Sequence, residues 1–488
     1  MKTVSELVEN VDARIVGSVG NLEGNVHGIS IDSRNVENGW MYAALSGTQV
    51  DGHGFIEQAI EKGAIAILCS HIPQPEKENI VYIVVENVIQ TLGNICGNFF
   101  DHPDRQLKLI GTTGTNGKTT VSTLLFTLFS GMGNTCGLIS TVENRIGENI
   151  FPSTHTTPDI VSLYRLLDQM VEAGCDYCFM EVSSHAIHQS RIAGLEFAGA
   201  LFTNITHDHL DYHGTFDNYI KAKKKFFDDL PSAAFAITNK DDKNGMVMLQ
   251  NTQAAKYTYA LRSSADFTVR ILEGDFEGTH LQINNQDVWV GLVGEFNAYN
   301  LILVYAAAFL LTDGEDDLAV RISSLPRVSG RFETIVGPNK ITAIVDYAHT
   351  PDALQNVIET INAIRKNNVR LITIVGCGGN RDAEKRPEMA KIASRLSDRV
   401  IFTSDNPRNE DPELILDQMQ AGVEGQYYKK TLRITDRKEA IKAASMIAEP
   451  GDVILIAGKG HETYQEIKGI KHSFDDKKII TELFKQLI

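Results

Sequence analysis

One segment, residues 109–120, constrains the possible fold more than any other part of the chain. It reads LIGTTGTNGKTT: an apolar run, a glycine-rich turn, and a helix that should start near Lys118. The backbone N–H groups of such a turn and the positive end of the following helix face an anion. The segment therefore predicts a phosphate-binding loop between a strand and a helix. Lys118 would reach the β and γ phosphates of a nucleotide, and the Thr119 hydroxyl would bind Mg²⁺.

This segment departs from the GxxxxGK[ST] pattern at one position. Thr112 stands where the first glycine is expected, and Gly111 comes one residue earlier. A plain turn is the alternative interpretation, but the flanking strand and helix patterns favour nucleotide binding. The residues expected to contact the nucleotide in this loop are Gly114, Thr115, Asn116, Gly117, Lys118, Thr119 and Thr120.

The length of 488 residues predicts about three domains, at roughly 150 residues each. Residues 1–100 alternate short apolar runs with glycine-containing turns, which predicts a small α/β domain. Over residues 101–328 the order strand, loop, helix repeats, which predicts a mostly parallel sheet covered on both faces. A boundary is expected at residues 326–330, so residues 329–488 form a third α/β domain of Rossmann-like type.

The third domain contains four apolar runs, each followed by a polar loop with glycine or proline. The runs are Ile341 to Val345, Arg370 to Val375, Val400 to Thr403 and Val453 to Ala457, and the loops read DYAHTPD, GCGGNRD, SDNPRNED and GKGHETY. Ligands of open α/β sheets bind beyond the carboxyl ends of the strands, so the four loops should gather around one site. The loop GCGGNRD is not a dinucleotide fingerprint, because Arg381 occupies the position of the third glycine in GxGxxG.

Composition indicates a soluble globular protein, and the formal net charge of −16 argues against general binding of nucleic acid or of anionic membranes. The first residues lack a secretory apolar core, and the longest helical apolar run, Leu301 to Leu311, is too short for a bilayer and predicts a buried helix. Six scattered cysteines do not form a disulfide framework. Cys175 and Cys178 form a lone CxxC beside an apolar run, which favours packing over metal binding. A cytoplasmic location is expected.

Several motifs together resemble the Mur ligases, over essentially the whole chain and in the same order. They are the variant loop GTTGTNGKT, MEVSSH at 180–185, TNITHDHLDYHG at 203–214, EFNAYN at 295–300, SGRFE at 329–333 and DYAHTPD at 346–352. The resemblance implies an ATP-dependent amide ligase that works through an acyl phosphate. The implied substrates are ATP, UDP-N-acetylmuramoyl-L-alanyl-D-glutamate and a diamino acid, with Mg²⁺ as cofactor and a monomeric protein.

The resemblance also assigns catalytic and metal-binding roles. Lys118 handles the phosphates, while Thr119, Glu181, His209 and Lys223 hold Mg²⁺, with Lys223 matching the family lysine that becomes a carbamate. From the letters alone, His209 is a loop histidine and Lys223 part of a solvated basic helix face. Asn297 and Asn300 would border the adenine, and Arg331 and Asp346 would meet the phosphates or ribose.

The remaining family positions fall into two further sets. The set implied for the UDP-muramoyl-dipeptide comprises Ile31, Ser33, Thr48, Gln49, Val50, His155, Thr156, Thr157, Ser183, Gln189 and Arg191. The set implied for the incoming amino acid comprises Arg381, Asp405, Asn406, Pro407, Arg408, Gly458 and Glu462.

The motif DNPR at 405–408 is the form that the family associates with meso-diaminopimelate. A guanidinium matches a carboxylate bidentately, whereas the side chain of L-lysine would leave Arg408 without a partner. Three alternatives stay open: the same reaction with L-lysine, a folylpolyglutamate synthase, and a phosphate-loop protein without catalysis. The DNPR motif and the N-terminal domain disfavour the second, and the catalytic set disfavours the third.

Overall fold

The computed structural model describes residues 1–47, 50–153, 155–315 and 317–486. Within these ranges the chain forms three main sheets of five, eleven and six strands, each built from one contiguous part of the sequence. The predicted α/β class with three units is therefore confirmed. The domain bounds near residues 100 and 328 stay predictions.

The N-terminal unit is a small sheet with short helices. Its elements are β1 (Lys2–Thr3), α1 (Val4–Leu7), β2 (Arg14–Val16), α2 (Val19–Leu22), β3 (Asn25–Val26), β4 (Gly28–Ser30), β5 (Trp40–Ala43), α3 (Ile56–Glu61), β6 (Ala66–Cys69), β7 (Val81–Val84) and α4 (Val88–Phe99). The sheet order is β2-β7-β6-β5-β4, and only β2 runs antiparallel to its neighbour. Helix α4 lies against the central unit so closely that a Cβ at Gly93 would be 2.4 Å from the Ala193 carbonyl oxygen.

The central unit carries the eleven-stranded sheet. Its strands are β8 (Lys108–Thr113), β9 (Cys136–Ile139), β10 (Glu143–Ile146), β11 (Asn149–Pro152), β12 (Tyr177–Glu181), β13 (Gly199–Phe202), β14 (Phe235–Asn239), β15 (Ala255–Ala260), β16 (Phe267–Gly274), β17 (Thr279–Ile283) and β18 (Gln286–Val290). Its helices are α5 (Lys118–Gly131), α6 (Ile160–Glu172), α7 (Ser184–His188), α8 (Leu210–His213), α9 (Phe216–Asp228), α10 (Gly245–Met248), α11 (Glu295–Leu311) and α12 (Leu318–Ser323).

The middle of this sheet, from β9 through β12, β8, β13, β14 and β15 to β16, is parallel, and antiparallel hairpins extend both edges. Strand β8 lies near its centre, so the loop after β8 opens at the carboxyl edge of buried strands. Helix α11 is apolar on nearly every face and packs on α5, which confirms the predicted buried helix.

The C-terminal unit contains β19 (Glu333–Val336), β20 (Thr342–Asp346), α13 (Pro351–Ile364), β21 (Leu371–Val375), α14 (Lys385–Leu396), β22 (Arg399–Phe402), α15 (Pro412–Gln420), β23 (Thr431–Arg433), α16 (Arg437–Ile447), β24 (Val453–Ala457), β25 (Tyr464–Ile467), β26 (Ile470–Ser473) and α17 (Asp476–Gln486). The sheet order is β19-β20-β24-β21-β22-β23. The four predicted apolar runs are β20, β21, β22 and β24. They are adjacent and parallel, so their loops share one edge.

The apolar segments and the cysteines are buried in the core of the protein. All six cysteines are buried free thiols, and burial raises the pKa of Cys178 well above its ordinary value. None of the helices in the described ranges combines the length and the hydropathy needed to cross a bilayer.

Candidate active site

A cavity of about 1120 Å³ lies between the central and C-terminal units. The loop after β8 lines one side, and the four strand-end loops of the C-terminal sheet line the other. The predicted site residues that line it are Thr115, Asn116, Gly117, Lys118, Thr119, Thr120, His155, Thr156, Thr157, Glu181, Ser183, Arg191, His209, Asn300, Arg331, Asp346, Arg381, Asp405, Asn406, Arg408, Gly458 and Glu462. One space thus joins residues predicted for three different ligands.

The phosphate loop is held by the end of β13 as well as by its own sequence. Thr203 Oγ1 donates a hydrogen bond of 2.6 Å to the Asn116 carbonyl, and the Thr115 N–H donates one of 2.8 Å to the Asn204 carbonyl. Gly117 has φ +88°, and a Cβ there would lie 2.5 Å from Asn300 Oδ1. This glycine is required by both backbone conformation and space.

Lys118 folds back over its own loop. Its Nζ donates hydrogen bonds of 2.9 Å to the carbonyls of Gly114 and Thr115. Burial lowers the pKa of Lys118, although Glu181 and Asp208 partly oppose this effect. A bound polyphosphate would offer the ammonium group better partners than two neutral carbonyls.

Glu181 and Thr119 approach the phosphate loop from the end of β12 and from the first turn of α5. Glu181 ends β12 and is 1% exposed, and its carboxylate accepts hydrogen bonds from the N–H and hydroxyl of Thr141. Thr119 Oγ1 accepts a 3.0 Å hydrogen bond from Nη2 of Arg331. The two oxygen groups therefore flank the phosphate loop, as ligands of a hard cation would.

His209 has φ +55° and precedes helix α8. Burial lowers the pKa of His209 to about 3, despite the opposing charge of Asp208, whose Oδ2 lies 3.3 Å from His209 Nε2. Burial raises the pKa of Asp208, but His209, His349, Lys385 and Lys118 together outweigh it, so this pKa is lowered. The imidazole is therefore neutral at physiological pH, which is the form that binds metal.

Lys223 is 1% exposed, although its helix α9 carries a run of three lysines. Its Nζ donates a 2.9 Å hydrogen bond to the Gly114 carbonyl and lies 4.8 Å from the centre of the Tyr219 ring. Burial, with Lys118 nearby, lowers its pKa well below that of an ordinary lysine. This amine lies beside the phosphate loop but does not line the cavity.

Arg331 and Asp346 bring the C-terminal unit to the loop. Arg331 lies over the Tyr347 ring at 4.6 Å, and Asp346 accepts hydrogen bonds from the N–H groups of Phe332 and Ala348. Burial raises the pKa of Asp346. A second link between the units is the 3.0 Å hydrogen bond from Asn116 Nδ2 to Asp352 Oδ2.

The two asparagines of α11 differ in their surroundings. Asn300 lines the cavity, whereas Asn297 is buried behind it and donates to the Val293 carbonyl. Asn300 Nδ2 donates a 3.2 Å hydrogen bond to Asn297 Oδ1, so Asn297 orients its neighbour. The predicted contact of both with adenine stays a prediction.

Five of the residues predicted for the dipeptide form one hydrogen-bonded network: Thr156, Thr157, Ser183, Gln189 and Arg191. Thr157 Oγ1 donates to the Glu181 carbonyl, and the Ser183 N–H donates to Thr157 Oγ1. Arg191 donates through Nη1 to the Thr157 carbonyl and through Nε and Nη2 to Gln189 Oε1. Thr156 Oγ1 accepts from Thr141. Gln189 does not line the cavity and donates to the hydroxyl of Tyr212.

Of the residues predicted for the uridine diphosphate, Ile31, Ser33 and Val50 lie on the N-terminal unit and outside this cavity. Ser33 is buried and donates a 2.6 Å hydrogen bond to Gln58, Ile31 packs at the edge of the N-terminal core, and Val50 is exposed. Thr48 and Gln49 fall outside the described residues. The uridine diphosphate site stays a prediction.

The predicted amino-acid pocket is a charged network. Asn406 donates a 2.8 Å hydrogen bond to Glu462 and accepts one of 3.1 Å from Lys459, and Lys459 Nζ lies 2.8 Å from Glu462. Burial raises the pKa of Asp405, but Lys459, Arg437 and the Asn406 N–H outweigh it, so this pKa is lowered. Asp405 therefore stays ionised and can accept an ammonium group.

Three glycines and Pro407 fix the shape of this pocket. A Cβ at Gly458 would lie 2.6 Å from Asp405 Oδ2, one at Gly379 would lie 1.9 Å from the Pro407 carbonyl oxygen, and one at Gly378 would lie 2.9 Å from Nη1 of Arg408. Arg408 Nη1 donates a 2.8 Å hydrogen bond to the Gly379 carbonyl. Arg381 lines the same wall.

Sequence reasoning missed several residues that the fold brings here. Asp208, Lys459 and Tyr212 lie within motifs that were singled out, but no pattern distinguished them from their neighbours. Thr203 and Asn204 act through contacts across the sheet, which no local spacing reports. His349 and Lys385 also line the cavity, and burial lowers the pKa of His349 to about 4.

Comparisons with known proteins agree with these observations. Family models match residues 25–99 (Mur ligase family, catalytic domain), 112–308 (Mur ligase middle domain) and 330–460 (Mur ligase, glutamate ligase domain). A UDP-N-acetylmuramoyl-L-alanyl-D-glutamate--2,6-diaminopimelate ligase of Bacteroides thetaiotaomicron is 55% identical over 94% of this chain and 95% of its own. A solved structure of a ligase of that name is 34% identical, with a TM-score of 0.67 and 95% of both chains covered. The MurF ligase of Thermotoga maritima, solved in complex with ADP, shares the fold at 18% identity, with a TM-score of 0.63 and coverage of 94% of this chain and 97% of its own.

Proposed function

Because the chain belongs to the Mur ligase family, we propose that it joins meso-diaminopimelate to the D-glutamyl carboxylate of UDP-N-acetylmuramoyl-L-alanyl-D-glutamate at the expense of ATP. One observation carries the proposal: the phosphate loop and the loop Asp405–Arg408 open onto a single cavity. A nucleotide and an amino acid bound at these loops would therefore react in the same enclosed space. The names of relatives at 55% and 34% identity support the same reaction.

The reaction has two chemical steps. In the first, an oxygen of the D-glutamyl carboxylate attacks the γ phosphorus of ATP, and the bond to the bridging oxygen breaks, which releases ADP and leaves an acyl phosphate. In the second, the amine of diaminopimelate attacks the acyl carbon, inorganic phosphate leaves, and the nitrogen loses a proton. Lys118 would exchange its loop carbonyls for phosphate oxygens, and Arg331 would approach them from the C-terminal unit.

The residues around the loop fit Mg²⁺. Thr119, Glu181 and His209 would hold it, since they supply a hydroxyl, a carboxylate and a neutral imidazole at the phosphate loop. Bound there, Mg²⁺ would neutralise the charge that a carboxylate and a polyphosphate bring together. Lys223 would add a negative ligand as a carbamate. Its lowered pKa favours the neutral amine, whose nitrogen bonds to the carbon of CO₂ and then loses a proton.

The amino-acid end needs both charge signs, because the distal end of meso-diaminopimelate carries an ammonium group and a carboxylate. Asp405 and Glu462 supply negative charge on this wall, and Arg408 and Arg381 supply positive charge. L-lysine lacks the distal carboxylate, so it would leave the cavity-facing side of the Arg408 guanidinium without an anionic partner from the ligand. This arrangement supports the choice of diaminopimelate.

The proposal extends to the organisation of the protein. The UDP group would bind at Ile31, Ser33 and the loop that ends at Val50, the domains would span residues 1–100, 101–328 and 329–488, and the protein would work as a monomer in the cytoplasm, where its nucleotide substrates are made. Light scattering during size-exclusion chromatography tests the monomer: a mass well above 53.9 kDa would contradict it.

An ADP-release assay tests the reaction itself. With ATP, Mg²⁺ and the UDP-muramoyl-dipeptide present, we expect ADP release to depend on meso-diaminopimelate and to be at least tenfold slower with L-lysine at equal concentration, in line with a lost charge-assisted bond worth about 1.5–3 kcal/mol. ADP release that occurs with L-lysine but not with meso-diaminopimelate would show that the amino acid is assigned wrongly. No release with any diamino acid would refute ligase activity.

A further inference from the structure

The hairpin β25–β26 binds the loop Asp405–Arg408 as if the loop were a further strand. The Arg408 N–H donates a 3.0 Å hydrogen bond to the Glu466 carbonyl, and the Lys468 N–H donates one of 2.7 Å to the Arg408 carbonyl. These bonds form an isolated parallel bridge between Arg408 and Ile467. Gln465 Nε2 adds a 2.6 Å hydrogen bond to the Asp405 carbonyl. The hairpin therefore fixes the backbone of the loop on which the specificity arginine stands.

The backbone of Arg408 needs this support. Its φ is +51°, in the left-handed region that a residue with a long side chain adopts only when its surroundings impose it. Both hydrogen bonds to the hairpin are made by the backbone of Arg408 itself, one by its N–H and one by its carbonyl. A conformation that aims the arginine at the cavity is thus maintained by residues that follow it by about 60 positions in the chain.

The side chain of Arg408 is held as well. Glu466 Oε2 lies 3.4 Å from Arg408 Nε, while Nη1 donates to the Gly379 carbonyl at 2.8 Å. The Glu466 N–H also donates a 2.9 Å hydrogen bond to Asn406 Oδ1. Arg408 lines the cavity and Glu466 does not, so the carboxylate lies behind the guanidinium. It is therefore placed to hold the arginine and not to contact a ligand.

We propose that Glu466 is the positioning residue for Arg408, and that it leaves the remaining N–H groups of Nη1 and Nη2 as the donors for the distal carboxylate of diaminopimelate. The inference rests on the proposed function. With Nε and Nη1 already engaged, the side chain has few rotamers left to lose when a carboxylate binds. Preference for diaminopimelate then depends on the geometry of the Arg408–Glu466 pair as well as on the arginine charge.

The variant Glu466→Gln tests this, because it keeps every main-chain bond of the hairpin and removes only the charge. We expect the KM for diaminopimelate to rise roughly fivefold to thirtyfold. The values of kcat and of KM for ATP and for the UDP-muramoyl-dipeptide should stay within about twofold of wild type, as for a change confined to one ligand's binding. Glu413→Gln is the matched control, since Glu413 pairs with Arg433 in the same unit but does not line the cavity.

A double-mutant cycle separates positioning from a general structural effect. In an Arg408→Ala background, Glu466→Gln should leave the KM for diaminopimelate unchanged, because there is no guanidinium left to position. An equal rise of KM in both backgrounds, an unchanged KM in the single variant, or a parallel rise of all three KM values would overturn the inference. If the wild-type protein does not use diaminopimelate, the proposed function is wrong. The wild-type assay alone shows this, independently of the Glu466 variants.

Discussion

In the proposed function, Arg408 is the residue on which the choice between diaminopimelate and L-lysine depends. Replacing it with alanine leaves the distal carboxylate without a partner in a partly buried pocket, where the loss of one member of a buried charge pair costs about 3–5 kcal/mol. Since the Arg408 side chain is 22% exposed, we expect the lower end: kcat/KM for diaminopimelate falls about 100-fold. The rate with L-lysine should change little. Steady-state ADP release with each amino acid measures both, and an equal loss for the two would contradict the assignment.

Lys223 offers a second test with single residues. Lys223→Ala should abolish most ligase activity, and a small carboxylate such as acetate should restore part of it, because it can supply the negative oxygen ligand that a carbamate would provide. Lys225→Ala is the control, since Lys225 is exposed on the same helix and pairs with Asp229. Full activity of the Lys223 variant in buffer freed of CO₂ and carboxylates would argue against the carbamate.

At the scale of elements, the turn between β8 and α5 depends on Gly117. An alanine there would place its Cβ 2.5 Å from Asn300 Oδ1 at φ +88°, so we expect a loss of about 1–3 kcal/mol in the free energy of unfolding and weaker ATP binding. Gly131→Ala, at the end of the same helix and with no atom within 4 Å, should instead stabilise by about 0.5–1 kcal/mol. Urea denaturation and ATP titration of the Gly117→Ala and Gly131→Ala variants measure both effects. Equal effects of the two substitutions would contradict a specific requirement for glycine at position 117.

The elements also show how far a sequence can be interpreted. The strands β20, β21, β22 and β24 are continuous apolar runs, so their identity and the shared edge of their loops followed from the letters. The burial of Lys223 did not, because helix α9 carries lysines on several faces and only the packing of Tyr219 and the Gly114 carbonyl selects one. Glu466 was missed for a similar reason: its contact with Arg408 depends on the hairpin folding back over the DNPR loop.

At the scale of the whole molecule, the central and C-terminal units meet through polar groups around the cavity and through Val293 and Phe296, which pack into the C-terminal core. Asp352 accepts hydrogen bonds from Asn116 and Thr206 of the central unit, and burial raises its pKa. A carboxyl group with a raised folded pKa favours the protonated state, so its stabilising contribution is present at low pH and is lost as pH rises through that pKa. The contact between the two units should therefore weaken as pH increases from the acidic range towards neutrality.

Asp352→Asn tests this coupling, because an amide stays neutral over the whole range. We expect the variant to keep a more compact mean shape at neutral pH than wild type, with a radius of gyration that changes less with pH in small-angle X-ray scattering. Glu439→Gln serves as the control, because Glu439 lies on α16, pairs with Lys442 at the surface and does not line the cavity. Identical pH profiles of wild type and Asp352→Asn would exclude a role for this carboxylate in domain contact.

The close approach of α4 to Ala193 has a consequence for how the enzyme can be dissected. Side chains of α4 share one apolar core with Ile160, Val161 and Tyr164 of the central unit. The C-terminal unit shares fewer buried apolar residues with the central unit, mainly Val293 with Phe296 beside it, and it meets the phosphate loop through hydrogen bonds such as Arg331 to Thr119. A chain cut within residues 326–330 should therefore yield an N-terminal fragment that folds with its two units joined. A cut near residue 100 would instead expose a larger apolar surface on both pieces. The C-terminal unit, which carries the proposed amino-acid pocket, is therefore the part whose removal should leave the rest of the fold intact.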